Sequence, residues 1–172
     1  MTIAGLPGAF AFAFTLALAM PAWAQDLIYS DAATRACLQG APDSVAQEGC
    51  IGASARACMG ATDAGGSTYG MSGCLERELT YWDGLLNAYY EVAIVRARKM
   101  DAETRTFSPG AAFAEQALRE MQRAWIPFRD AACEFARAQY GAGTGAGGAA
   151  LSCHMDMTGK QALALGRFGY GQ

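Results

Sequence analysis

Six cysteines constrain this chain more than any other feature: Cys37, Cys50, Cys58, Cys74, Cys133 and Cys153. All of them follow a leader-like segment. Residues Ala9 to Met20 form an apolar run that breaks at Pro21 and ends in Ala22-Trp23-Ala24, with small residues at both positions a signal peptidase reads. The run is shorter than the roughly 20 residues a helix needs to span a bilayer. Residues 1–24 therefore read as a secretory signal peptide, and the protein as a soluble periplasmic or secreted one. An even number of cysteines in an exported chain implies three disulfides. The fold must then satisfy bridges as well as a core. No Cys-x-x-Cys pair or Cys/His cluster offers metal-ligand spacing, so no metal site is expected. No cysteine stands at the cleavage point to carry a lipid.

The rest divides into two parts. Residues 25–74 are rich in Cys, Gly, Ala and Ser and poor in large apolar side chains. Short helical pieces are expected at 30–38 and 45–59, with turns around Gly65-Gly66 and Gly70 to Gly73. Bridges must supply much of the order here. Residues 75–172 read as the helical core. Leu75, Leu79, Trp82, Leu86, Tyr89 and Ala93 recur at alternating steps of four and three, one face of a helix over 75–100.

A second long helix is expected from Pro109 to Tyr140. Ser108 would be its cap and Pro109 its first residue. Its apolar face reads as Phe113, Ala117, Met121, Trp125, Phe128, Ala132 and Phe135, with a kink before Pro127. A flexible loop follows over Gly141–Gly148, then a short helix over about 155–166. The expected architecture is all-α: a disulfide-stapled hairpin of two long helices, a short C-terminal helix and a Cys-rich, loop-rich N-terminal segment. Of the many possible cysteine pairings, Cys133–Cys153 would close the glycine-rich loop. The other four pair most simply as Cys37–Cys50 and Cys58–Cys74.

Several chemistries are disfavoured. Gly143-Thr144-Gly145-Ala146-Gly147-Gly148 satisfies G-x-G-x-x-G but follows a helix rather than a strand, so no nucleotide cofactor is implied. Ser152, His154 and Asp156 lack the context of a nucleophile elbow. Asp83, Glu91, Glu120, Asp130 and Glu134 are carboxylates by type, yet they fall where solvated helix faces are expected. The net charge of −3 lacks the basic face of a nucleic-acid binder. No enzymatic activity and no cofactor are expected.

The polar residues beside the aromatic stripe are more informative. Leu86-Asn87-x-x-Tyr90 lies on the first long helix. Gln122-x-x-Trp125-x-x-Phe128-Arg129-Asp130-x-x-Cys133 lies on the second, and Gly147-Gly148, Cys153 and Thr158 follow. Gln122 and Arg129, seven apart, share a helix face and read first as hydrogen-bonding residues that fix helix register. This order of residues resembles the LprI-type lysozyme inhibitors, small exported bacterial proteins, over about 58–165. Four features depart from it: Pro127 inside the motif, Gln161 where an arginine is expected, the lack of the lipidation cysteine that the lipoprotein namesake carries, and Cys37 with Cys50 as an added upstream pair. The resemblance implies a helical, disulfide-bonded, non-enzymatic domain that binds lysozyme and inhibits peptidoglycan hydrolysis. The loop at Gly141–Gly148 or that at Phe107–Gly110 would enter the lysozyme cleft. The alternative is an envelope adaptor that binds a protein or peptidoglycan through the patch near Asn87 and Arg129.

Overall fold

The structure, a computed structural model, describes residues 27–171; the signal-peptide reading falls outside the described residues. The described chain is helical, with no strand among its residues. α1 spans Ala32–Gly40, α2 Ser44–Gly49 and α3 Ala53–Ala61. After a 3₁₀ turn at Asp63–Gly66, α4 runs unbroken over Thr68–Arg105, for 38 residues. A second 3₁₀ turn at Pro109–Ala111 leads into α5, Ala114–Ala138, and then α6, Ala146–Tyr170. The three bridges are Cys37–Cys50, Cys58–Cys74 and Cys133–Cys153.

The expected stripe on α4 is the spine of the core. Trp82 and Ala93 are fully buried, and Leu75 and Leu86 are nearly so. They meet Ile51, Ala55, Met155, Ala162, Leu163 and Leu165 in one apolar cluster. α6 lies along α4 and also against α5, so the third helix is not short. It is 25 residues long: it starts at Ala146, inside the Gly141–Gly148 loop expected to be flexible, and continues to Tyr170. Its low-propensity glycines have a packing use. A side chain at Gly166 would meet the Tyr89 ring at 3.0 Å, so glycine there lets the α4 and α6 backbones approach.

α4 also begins earlier than expected. Gly70 and Gly73 lie in its first turns rather than in a loop, and the Ser67 side chain accepts from the Gly70 N–H at 3.0 Å to cap it.

The start of α5 corrects another expectation. Ser108 makes no side-chain cap and Pro109 opens only a 3₁₀ turn. Instead Asp101, from the last turn of α4, accepts the backbone N–H groups of Ala114 (2.7 Å) and Glu115 (3.0 Å). The acceptor of the cap thus sits in the preceding helix and closes the α4–α5 hairpin. Asp101→Ala is expected to lower stability by about 1 kcal/mol. The melting midpoint should fall by roughly 2–4 °C. An unchanged midpoint would remove the cap from this account. The helix then runs on through Pro127, which is exposed, so the carbonyl it leaves unpaired, that of Arg123, lies on a side that water reaches.

The N-terminal helices are joined to α4 by a buried carboxylate. Glu78 has no exposed surface, and neither do Thr34, Ser54 and Trp82 around it. Its Oε1 accepts from Thr34 Oγ1 (2.7 Å), Gly52 N (2.8 Å) and Trp82 Nε1 (3.1 Å). Its Oε2 accepts from Ala55 N. Gly52, at φ +86°, adopts the left-handed conformation that glycine favours and stands at the N-cap of α3. The carboxylate therefore caps α3 from a different helix, with its charge at the positive end of that helix. Thr34 and Ser54 complete the joint by a reciprocal pair of 3.0 Å bonds, each hydroxyl accepting from the other's backbone N–H. Nearby, burial and then the Glu78 charge push the Tyr29 phenol above its usual range.

Candidate functional site

Six of the family-motif residues, Leu86, Asn87, Tyr90, Gln122, Trp125 and Arg129, gather between α4 and α5, where a groove of about 360 Å³ opens. The hairpin is antiparallel, so Asp83, Asn87 and Tyr90 of α4 face Arg119, Gln122, Arg123, Trp125 and Arg129 of α5 across it. The floor is Leu86, buried in the core, with the half-buried Trp125 and the buried Gln122. Asp83, Asn87 and Arg123 form an exposed rim. On the α4 side, Asn87 Nδ2 donates to Asp83 Oδ2 at 3.2 Å, one turn away.

Behind the groove, a polar seam ties α5 to α6. The Arg129 guanidinium lies 5.0 Å from the centre of the Trp125 ring, a cation–π contact. It donates to Asp130 Oδ1 at 2.8 and 2.9 Å and reaches Thr158 Oγ1 of α6 at 3.5 Å. Gln122 Oε1 accepts from Gln161 Nε2 at 2.9 Å, so the glutamine that departs from the expected arginine forms a crossing bond. Buried polar groups have partners here, which fixes the register of the two helices.

The motif residues divide by role. Leu86, Gln122, Trp125, Arg129 and Thr158 hold helices together, and Asn87 and Tyr90 line the groove. Phe128 and Asp130 face solvent. The apolar face expected for α5 is therefore right only at Trp125 and Ala132, which are partly buried, and wrong for its other large side chains. Phe113, Met121, Phe128 and Phe135 are exposed, whereas Leu118, Gln122, Trp125, Arg129 and Cys133 turn inward. Hydrophobicity alone favours the larger side chains, but the inward side is partly polar.

Four groove residues lie outside the motif, Asp83, Arg119, Arg123 and Ile126, and of these the two arginines carry the groove's added positive charge. Their signal was helical spacing: Arg119, Gln122, Arg123 and Ile126 follow at i, i+3, i+4 and i+7 on one side of α5. Arg119 donates to Glu115 Oε1 at 2.8 Å, and Arg98 of α4 reaches the same oxygen at 3.0 Å. The hydrogen bonds from these two guanidiniums hold the Glu115 carboxyl below the usual carboxylate range. Arg123 has no ion partner within 4.0 Å among the described residues. It is the unengaged cation of the groove.

Catalytic constellations do not assemble among the described residues. Ser152 and Asp156, four apart on α6, share one side of it and His154 points to the other, so the three do not converge; Asp156 pairs with Lys160 at 2.7 Å. Burial, and then the Arg129 charge, lower the His154 pKa. Asp130, Glu120 and Glu134 are engaged by Arg129, Gln116 and Arg137 on their own helix, and Glu91 is exposed. No three His, Cys, Asp or Glu side chains converge as metal ligands among the described residues.

The fold and the groove define a disulfide-stapled helical module whose distinctive side chains line a surface groove. Residues 58–165 match the family model described as Lysozyme inhibitor LprI, and the chain belongs to that family. A search of curated proteins finds no match, and a search of solved structures finds none either.

Proposed function

We propose that this protein is exported, binds lysozyme-type muramidases and inhibits their hydrolysis of peptidoglycan. The observation that carries this reading is the match over 58–165 to a family described as a lysozyme inhibitor. Three disulfides suit an oxidising compartment, where the target enzymes act. Among the described residues no helix is long and apolar enough to cross a membrane. Muramidases of this kind carry a pair of carboxyl groups in an open cleft. An exposed arginine without a partner of its own, Arg123, offers such a cleft a complementary charge.

The test is turbidity loss of a cell-wall suspension treated with lysozymes of several types, with and without the purified protein in excess. Slowed clearing with at least one type is the expected result; unchanged clearing with every type would overturn the proposal. Arg123→Glu is expected to weaken inhibition by about tenfold, or ~1.4 kcal/mol. The side chain is exposed, so its melting midpoint should not move. An inhibition constant equal to that of the unsubstituted protein would place the contact elsewhere, the loops at Phe107–Gly110 and Gly141–Gly148 being the next to substitute.

The second reading, an envelope adaptor, rests on the same groove, where Trp125, Tyr90 and Asn87 offer ring faces and amide hydrogen bonds to a glycan or peptide. Binding to intact peptidoglycan with no effect on any lysozyme would favour it.

A further inference from the structure

α5 carries a stripe that nothing among the described residues covers. Ala117, Met121, Ala124, Phe128, Ala131, Phe135 and Ala138 follow one another at alternating steps of four and three, and all seven are exposed. Phe128 is 64% exposed, Phe135 68% and Met121 42%. The spacing is the heptad pattern by which two helices pack along each other, sustained for three heptads. At 3.6 residues per turn, the stripe lies roughly opposite Arg119 and Arg123, so it is separate from the groove.

We propose that this stripe is the interface of a two-fold symmetric dimer, in which α5 packs antiparallel against α5 of a second copy of the chain. The side-chain order selects a copy as the occupant. Large residues recur every seventh position, with alanines between them. In the antiparallel register that sets Phe128 on Ala131 of the second copy, Phe135 meets Ala124 and Met121 meets Ala138. Symmetry repeats each contact in reverse, so every layer pairs a large side chain with a small one. A two-fold contact requires this self-complementarity of one patch.

Charge points the same way. α5 holds four arginines (Arg119, Arg123, Arg129, Arg137) and four carboxylates (Glu115, Glu120, Asp130, Glu134). The helix offers no net field to a strongly charged partner or membrane.

The area sets the strength. Two phenylalanines exposed by about two thirds contribute on the order of 250 Å². With the methionine and alanines, each copy would bury roughly 500 Å², a total of about 1,000 Å², the lower limit for a specific interface. Such a dimer is reversible, with dissociation in the micromolar range.

Sedimentation velocity of the disulfide-intact protein, measured across the micromolar range, tests this. The expected result is a concentration-dependent monomer–dimer equilibrium. Phe128→Glu, and Ala131→Trp, which fills the recess opposite Phe128, should each raise the dissociation constant at least about tenfold. Phe107→Glu, an exposed apolar position off the stripe, should leave it unchanged. All three sites are exposed, so circular dichroism and melting should match the unsubstituted protein, which separates lost association from lost folding. A monomer at every concentration, or association that Phe128→Glu and Ala131→Trp do not weaken, would overturn the proposal.

Discussion

Replacing Glu78 with leucine is expected to destabilise the protein by roughly 3–5 kcal/mol, the cost of breaking a buried charged network from one side. The carboxylate accepts from four donors: Thr34 Oγ1, Trp82 Nε1 and the backbone N–H groups of Gly52 and Ala55. Leucine removes the acceptor but leaves those donors enclosed without water. Two of them belong to the first turn of α3, so that helix also loses its cap. Glu78→Gln separates charge from shape. It keeps one acceptor oxygen but turns an NH₂ group toward backbone donors, and the expected loss is intermediate, about 1–3 kcal/mol. Denaturant unfolding of both variants gives the measurement. The midpoint should fall in the order native, glutamine, leucine, with the slope unchanged if unfolding stays two-state. A leucine variant as stable as the native protein would show that apolar packing, not the carboxylate, joins α1 and α3 to α4.

The second large effect is expected at the bridge between α5 and α6. Cys133 is fully buried and closes a 20-residue separation with Cys153. A loop of that length restrains the unfolded chain by roughly 3 kcal/mol. The double variant Cys133→Ala/Cys153→Ala should therefore melt about 6–12 °C lower. It should still fold, because α6 packs along α4 independently of the bridge. The polar seam at Gln122–Gln161 and Arg129–Thr158 lies beside the bridge, so the proposed inhibition should weaken more on warming than in the intact protein. A melting midpoint equal to that of the native protein would deny the bridge a thermodynamic role.

Much of the helical architecture was legible, and its errors have physical causes. The α4 stripe could be read because α6 covers a broad, mostly apolar side of it. α5 misled because its largest hydrophobes face outward while Gln122, Arg129 and Cys133 face inward; burial there is set by hydrogen bonds and a disulfide. α6 looked short because glycines lower helix propensity, yet those glycines allow the close approach that stabilises it. Glu78 left a faint trace: it stands three residues after Leu75 and four before Trp82, inside the apolar stripe, where an acid needs enclosed donors. The groove was half legible. Asn87, Tyr90 and Trp125 came from the motif, whereas Arg119 and Arg123 emerged only when α5 was set against α4.

Each disulfide joins cysteines that are consecutive along the chain, and this orders the history of the molecule as well as its structure. A polypeptide threaded N-terminus first into an oxidising compartment exposes Cys37 and then Cys50, Cys58 and then Cys74, and last Cys133 and Cys153. An oxidant that joins thiols in their order of emergence makes the native set directly. On the proposed export, the protein should mature without an isomerase to reshuffle its bonds.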